Sequence, residues 1–190
     1  MIGYEEHSKL YWKIRARYRK IYRARNFLIW LFYELPRNYY LVKKYPFLKP
    51  QVGWGVDMEW KRSGYRYHYE ETWLDGLPRG WRKAFGLKLC DDLKKALANC
   101  SYNTNDYKVH QVKEKFGYLC WYDEGGNNLT RSAIDKYVEM SSKVCQICGK
   151  PATHATVRWI GFYCEDCAKK LMSKGITCTQ AYEKQCDNKI

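Results

Sequence analysis

Apolar side chains recur at helical spacing in three stretches of the chain and alternate with polar ones in two others. In the first stretch, Leu10, Ile14, Tyr18, Ile21 and Tyr22 repeat about once per helical turn with no Pro or Gly between them, which predicts an amphipathic helix. The apolar run 27–33 is expected to bury that helix against the rest of the protein or in a dimer interface, and Pro36 to end it. Residues 34–64, broken by Pro36, Pro46, Pro50, Gly53, Gly55 and Gly64, read as an irregular connection. Residues 65–70 alternate aromatic with polar, as a half-buried strand does. After a turn at Gly76-Leu77-Pro78, the period changes. Trp81, Phe85, Leu89, Leu93 and Leu97, with Ala84 and Ala96 alongside, predict one long core-facing helix over 79–99.

Residues 107–123 predict a pair of short strands. Val109 to Lys113 lies in the first, Leu119 to Tyr122 in the second, and Lys115-Phe116-Gly117 forms the turn. Thr130 is expected to cap a helix whose Ile134, Tyr137 and Val138 share one side. That helix runs almost directly into a cysteine pair, so the C-terminal unit is expected to pack on the middle of the chain. The predicted class is α+β in three parts. Residues 1–50 form a basic helical arm and connection, 51–143 a small mixed α/β domain, and 144–190 a metal-binding module.

Charge sharpens this picture at the N-terminal end. Lys and Arg outnumber Asp and Glu by 34 to 20, a formal net charge of +14, and residues 7–33 contain no acid at all. Lys9, Lys13, Arg15, Arg17, Arg19, Lys20, Arg23 and Arg25 cover the polar face of the first predicted helix. Such a face calls for an acidic partner, nucleic acid before an anionic membrane surface or an acidic protein. Aromatic residues make up 17% of the chain and are interleaved with these cations, so Tyr11, Trp12 and Tyr18 are candidate stacking groups beside phosphate-binding Lys and Arg.

Nine cysteines, an odd number, argue against a secreted disulfide scaffold. The run 27–33 is too short for a membrane span, which needs about 20 apolar residues. A reducing, cytoplasmic setting is expected. Four of the cysteines carry the sharpest signal in the sequence. Cys145-Gln146-Ile147-Cys148-Gly149 is followed fifteen residues later by Cys164-Glu165-Asp166-Cys167, a C-x₂-C-x₁₅-C-x₂-C spacing that suits one tetrahedral zinc ion. A hairpin over 153–163 around Gly161, then a helix from Cys167 onward, would complete a treble-clef-like or ribbon-like unit. His154, Cys178 and Cys186 fit less well as substitute ligands. A redox CxxC would need a preceding βαβ pattern, which is missing. A closed four-thiolate set leaves no position for water, so the ion is expected to be structural.

Catalytic constellations are weaker. His7, His68, His110 and His154 stand in unrelated contexts, and no Ser or Cys triad is read. Gln111-Val112-Lys113, with Asp91, Asp92 or Asp106 upstream, loosely matches the tail of a metal-dependent nuclease motif, although three-residue matches arise by chance. Asp57, Glu59, Glu70, Glu71 and Asp75 could bind a divalent cation or pair with neighbouring arginines. Cys90, Cys100 and Cys120 read as small core residues.

Three further segments carry a likeness. They are residues 72–86 (TWLDGLPRGWRKAFG), residues 111–119 (QVKEKFGYL), and residues 145–151 with 159–167. Together these resemble a group of small phage and prophage proteins with a C-terminal Cys₄ zinc unit and no assigned activity, over about residues 45–168. The resemblance implies a phage-encoded protein acting in the bacterial cytoplasm; the basic first 30 residues are not part of it. The expected function is non-enzymatic: a zinc-binding protein that contacts nucleic acid through its basic, aromatic-rich surface. The alternatives are a factor that binds a host protein, for example a defence component, and the nuclease.

Overall fold

The computed structural model describes residues 30–50, 69, 71–99 and 107–181. Among these residues it is a mixed α/β structure of four helices and two small sheets. The helices are α1 (Leu35–Lys44), α2 (Leu87–Ala98), α3 (Asn128–Ser141) and α4 (Glu165–Met172). One sheet is the antiparallel pair β1 (Lys108–Lys115) and β2 (Tyr118–Glu124). The other holds β3 (His154–Thr156), β4 (Phe162–Tyr163) and β5 (Cys178–Gln180), in the order β4-β3-β5. No helix among the described residues is long and apolar enough to cross a membrane.

Pro36 starts a helix instead of ending one. A π-turn at Trp30–Glu34 leads directly into α1, and Pro36 occupies the first turn of α1. The stretch expected to be irregular is therefore helical as far as Lys44. Leu31, Phe32 and Tyr33 are exposed, not buried as the apolar run suggested. Tyr69 belongs to the expected strand over 65–70, yet it sits in a bend with φ 64°. The remainder of that strand lies outside the described residues.

The long helix forms where the stripe predicted it, with one irregularity. A short α-turn, Arg79–Trp81, passes through a π-turn, Arg82–Gly86, into α2. A strict spacing of four overruns an α-helical turn by about 40° per step. The wider π-turn takes up part of that excess. Trp81, Phe85, Leu89, Leu93 and Leu97 are consequently all buried, while Ala84 is turned outward.

Around this stripe the core closes from two sides. Tyr137 and Ile134 of α3 pack on one flank, with the Phe85 and Tyr137 rings 5.5 Å apart. Tyr45, Phe47 and Leu48 fill the other, and Phe47 stands edge-on to both Tyr107 and Trp121. Polar rims fix the register of the helices. Asp91 accepts from the Tyr45 hydroxyl at 2.6 Å, and Asp92 from Tyr137 at 2.7 Å and Lys136 at 2.8 Å. Asp75 binds Arg37 and Arg82 through one carboxylate oxygen and caps the Thr72 turn with the other. The cap of α3 is Asn127; Thr130, expected in that role, is its reciprocal partner three residues on.

Candidate metal centre

Each half of the cysteine set is placed by a different local device. Cys145 and Cys148 flank a tight turn that closes when the Gly149 amide donates to the Cys145 carbonyl at 3.0 Å and the Cys145 amide to Lys150 at 2.8 Å. Gly149 has φ 83°, a left-handed conformation that favours glycine. Cys164 and Cys167 open α4: Cys164 is its N-cap and Cys167 lies in its first turn. The β3–β4 hairpin spans the gap, and the Gln146 amide donates to Phe162 at 3.0 Å, tying the first turn to β4. β5, which the sequence did not announce, pairs with β3 and places Cys178 opposite Thr156, outside the cysteine cluster.

The four sulfurs all lie within 4.8 Å of one another, and Cys148 Sγ is 3.5 Å from Cys164 Sγ. Ligand sulfurs about 2.3 Å from a tetrahedral zinc would be about 3.8 Å apart, so this set could hold a metal ion. Cys145, Cys164 and Cys167 are buried and Cys148 half-buried. Burial works against ionising Cys145, but the backbone amides of Cys164, Cys148 and Ile147 outweigh it and bring the thiol down to about 7. Burial and the neighbouring thiols push Cys167 up. A bound cation would hold the ligands as thiolates, since only the deprotonated sulfur ligates a metal. His154 bonds Thr153 at 2.8 Å and is not part of the cluster.

The unit that carries the four cysteines is bonded to the long helix. Gly80 N donates to the Gln146 carbonyl at 2.8 Å, and the fully buried Trp81 donates from Nε1 to Val144 at 3.0 Å. At the other end, Gly117 of the hairpin turn packs against Phe162 and Ile160. The expectation that this unit rests on the middle of the chain holds among the described residues.

Lys13, Arg15, Arg17, Arg19, Lys20, Arg23, Arg25, Tyr11, Trp12 and Tyr18 lie outside the described residues, as do Asp57, Glu59, His68, Cys100, Asp106 and Cys186. Lys113 points its ammonium over the Tyr122 ring at 5.4 Å, while Asp91 and Asp92 are engaged with Tyr45 and Tyr137. Cys90 is buried in the core, as expected; Cys120 is half-buried.

One feature was not legible in the sequence. Between β2 and α3 lies a cleft of about 340 Å³ whose lining includes Asp123, Asn127, Arg131 and Asp135. Burial raises the Asp123 carboxyl, against the opposing hydrogen bond from Tyr107 and the charge of Arg131. Tyr107 in turn accepts from Trp121 Nε1 at 3.0 Å. Asp123 follows Leu119 and Trp121 on the inward side of β2, and a bulge between Val109 and Gln111 brings Val109 opposite it.

Compared with protein-family models, with curated proteins and with solved structures, the chain shows no match. The functional reading therefore rests on its own residues.

Proposed function

We propose that this chain is a non-enzymatic, zinc-binding protein that contacts nucleic acid through a basic, aromatic-rich surface. The observation that carries the nucleic-acid reading is the acid-free stretch 7–33 with its run of Lys and Arg, in a chain of net charge +14. Lys13, Arg15, Arg17, Arg19, Lys20, Arg23 and Arg25 contact phosphates in this reading, and Tyr11, Trp12 and Tyr18 stack on bases.

Zinc is the metal proposed for the four thiols, since soft thiolate ligands in a tetrahedral set favour it over oxygen-seeking cations. With all four positions filled by protein, the ion organises the fold and leaves no position for a substrate. A knuckle, a hairpin and a ligand-bearing helix start, in that order, are the parts of a treble clef. Phage origin and a bacterial cytoplasmic setting rest on the resemblance of residues 72–86, 111–119, 145–151 and 159–167 alone. The reading is tested by ionic strength. Affinity for nucleic acid should fall steeply with salt when several phosphates are neutralised, and a flat response contradicts it.

The exposed Leu31, Phe32 and Tyr33 favour a second reading, a factor that binds and redirects a host protein. Capture of a defined partner that survives nuclease treatment supports it; recovery that depends wholly on nucleic acid excludes it.

A further inference from the structure

We infer that the outward face of the β1–β2 hairpin is a stacking surface for single-stranded nucleic acid, a deepening of the nucleic-acid reading above on which it rests. The pairing register sorts the hairpin into two faces. Val112 opposite Trp121 points inward to the core, whereas Lys113 opposite Cys120, Lys115 opposite Tyr118 and Gln111 opposite Tyr122 point outward. Tyr118 and Tyr122, 43% and 45% exposed, therefore stand on one face. Four residues of strand separate them by about 13 Å, a distance that a short extended run of nucleotides covers.

Cations accompany the rings. Lys113 Nζ lies 5.4 Å from the Tyr122 ring centre and Lys115 Nζ 5.5 Å from that of Phe116. A base that stacks on either ring displaces the ammonium from the ring face, and the flexible Lys stem leaves the charge within reach of the neighbouring phosphate, the pairing of aromatic platform and basic track that single strands use. Neutral apolar partners would gain nothing from these lysines. Duplexes keep their base faces stacked inside, so exposed ring faces select for unpaired bases.

Two features of the tip maintain this aromatic surface, one of them at a cost in backbone conformation. Phe116 adopts φ 52° in the two-residue turn and is 59% exposed, so the fold holds a large ring in a conformation better suited to Gly or Asn. Phe162 meets Tyr118 edge-on at 5.9 Å and fixes its orientation. The same contact brings the hairpin tip beside the β3–β4 loop, where Trp159 is 77% exposed next to Arg158. The surface thus bridges the hairpin and the metal unit.

The test measures binding of the zinc-loaded full chain to a fluorescein-labelled oligothymidylate and to a duplex of mixed sequence. Variants are Phe116→Asn, which suits the turn, and the pair Tyr118→Ala and Tyr122→Ala, with folding checked by thermal melting. Each lost ring should weaken single-strand binding by about fivefold or more while duplex binding stays the same. If the wild type binds both probes and the variants bind the single strand unchanged, or lose both probes equally, the hairpin surface is refuted and the basic arm is not. If the wild type binds neither probe, both readings fall together.

Discussion

The amide of Gly80 donates to the carbonyl of Gln146 across 2.8 Å, and no side chain could stand between them. A Cβ on Gly80 would lie 2.0 Å from the Cys145 carbonyl oxygen and 2.7 Å from the Gly149 amide nitrogen. The helix that builds the core therefore begins in backbone contact with the turn that carries half of the candidate metal ligands. Stability of the core and geometry of the cysteine set are coupled at this residue, beside the Trp81–Val144 and Gly117–Phe162 contacts.

Gly80→Ala should accordingly injure both. The obstruction is backbone, which cannot rotate away, so the long helix and the cysteine turn must move apart. A destabilisation of about 2 kcal/mol or more is expected, in the upper range for overpacking. Thermal melting should show it, and a competition assay with a chromophoric chelator should show weaker metal retention. Wild-type values for both would mean that the two units are not rigidly joined here.

Removing a ligand should act through the same coupling. Cys148→Ser leaves a buried cluster with three thiols, and the expected outcome is loss of the ion together with a drop in melting temperature. Small zinc units gain about 10–16 kcal/mol of apparent free energy from the ion, much of it spent on folding. Elemental analysis of the purified variant decides: full metal content in a folded Cys148→Ser protein would remove the four-cysteine assignment.

The Asp123 cleft gives a pH-dependent prediction. Burial raises its carboxyl in the folded state, so the fold holds that proton more tightly than the unfolded chain does. Stability contributed by the protonated form is complete below the ordinary carboxylate value of about 3.9 and is lost as pH rises through the raised folded value. Asp123→Asn keeps an acceptor for Tyr107 and removes the charge. It should melt above the wild type at pH 7, with the gap closing in acid. A wild type that gains stability over the variant between pH 5 and pH 7 would show the carboxylate to be favourably paired instead.

How far these residues could be read from sequence depends on whether their partners are local. The cysteine spacing was legible because the turn and the helix start are each defined within a few residues. The stripe from Trp81 to Leu97 was legible for the same reason, although the π-turn that lets it stay on one face, and turns Ala84 outward, was not. Pro36 was misread because proline marks the first turn of a helix as readily as its end, and only the residues after it decide. β5 has three residues and no pattern of its own; it exists because β3 offers an edge. The Gly80 contact joins positions 66 residues apart and leaves no trace in periodicity.

The hairpin turn allows a prediction about stability alone. A left-handed conformation costs an ordinary L-residue about 1–2 kcal/mol, and Asn tolerates it better. Phe116→Asn is therefore expected to raise stability by about 1 kcal/mol by chemical denaturation, because the exposed ring contributes little packing in return. Destabilisation would mean that the ring is held by contacts that outweigh the backbone conformation.

The most direct measurement for the account as a whole is binding of the zinc-loaded protein to single- and double-stranded DNA and RNA across a salt series. It is run beside a variant with Arg15, Arg17, Arg19 and Arg23 changed to Glu. Tight binding is expected, its logarithm falling steeply with the logarithm of salt, with both affinity and slope lost in the variant. Weak binding with a shallow slope that the variant retains would contradict it and turn the search to a protein partner.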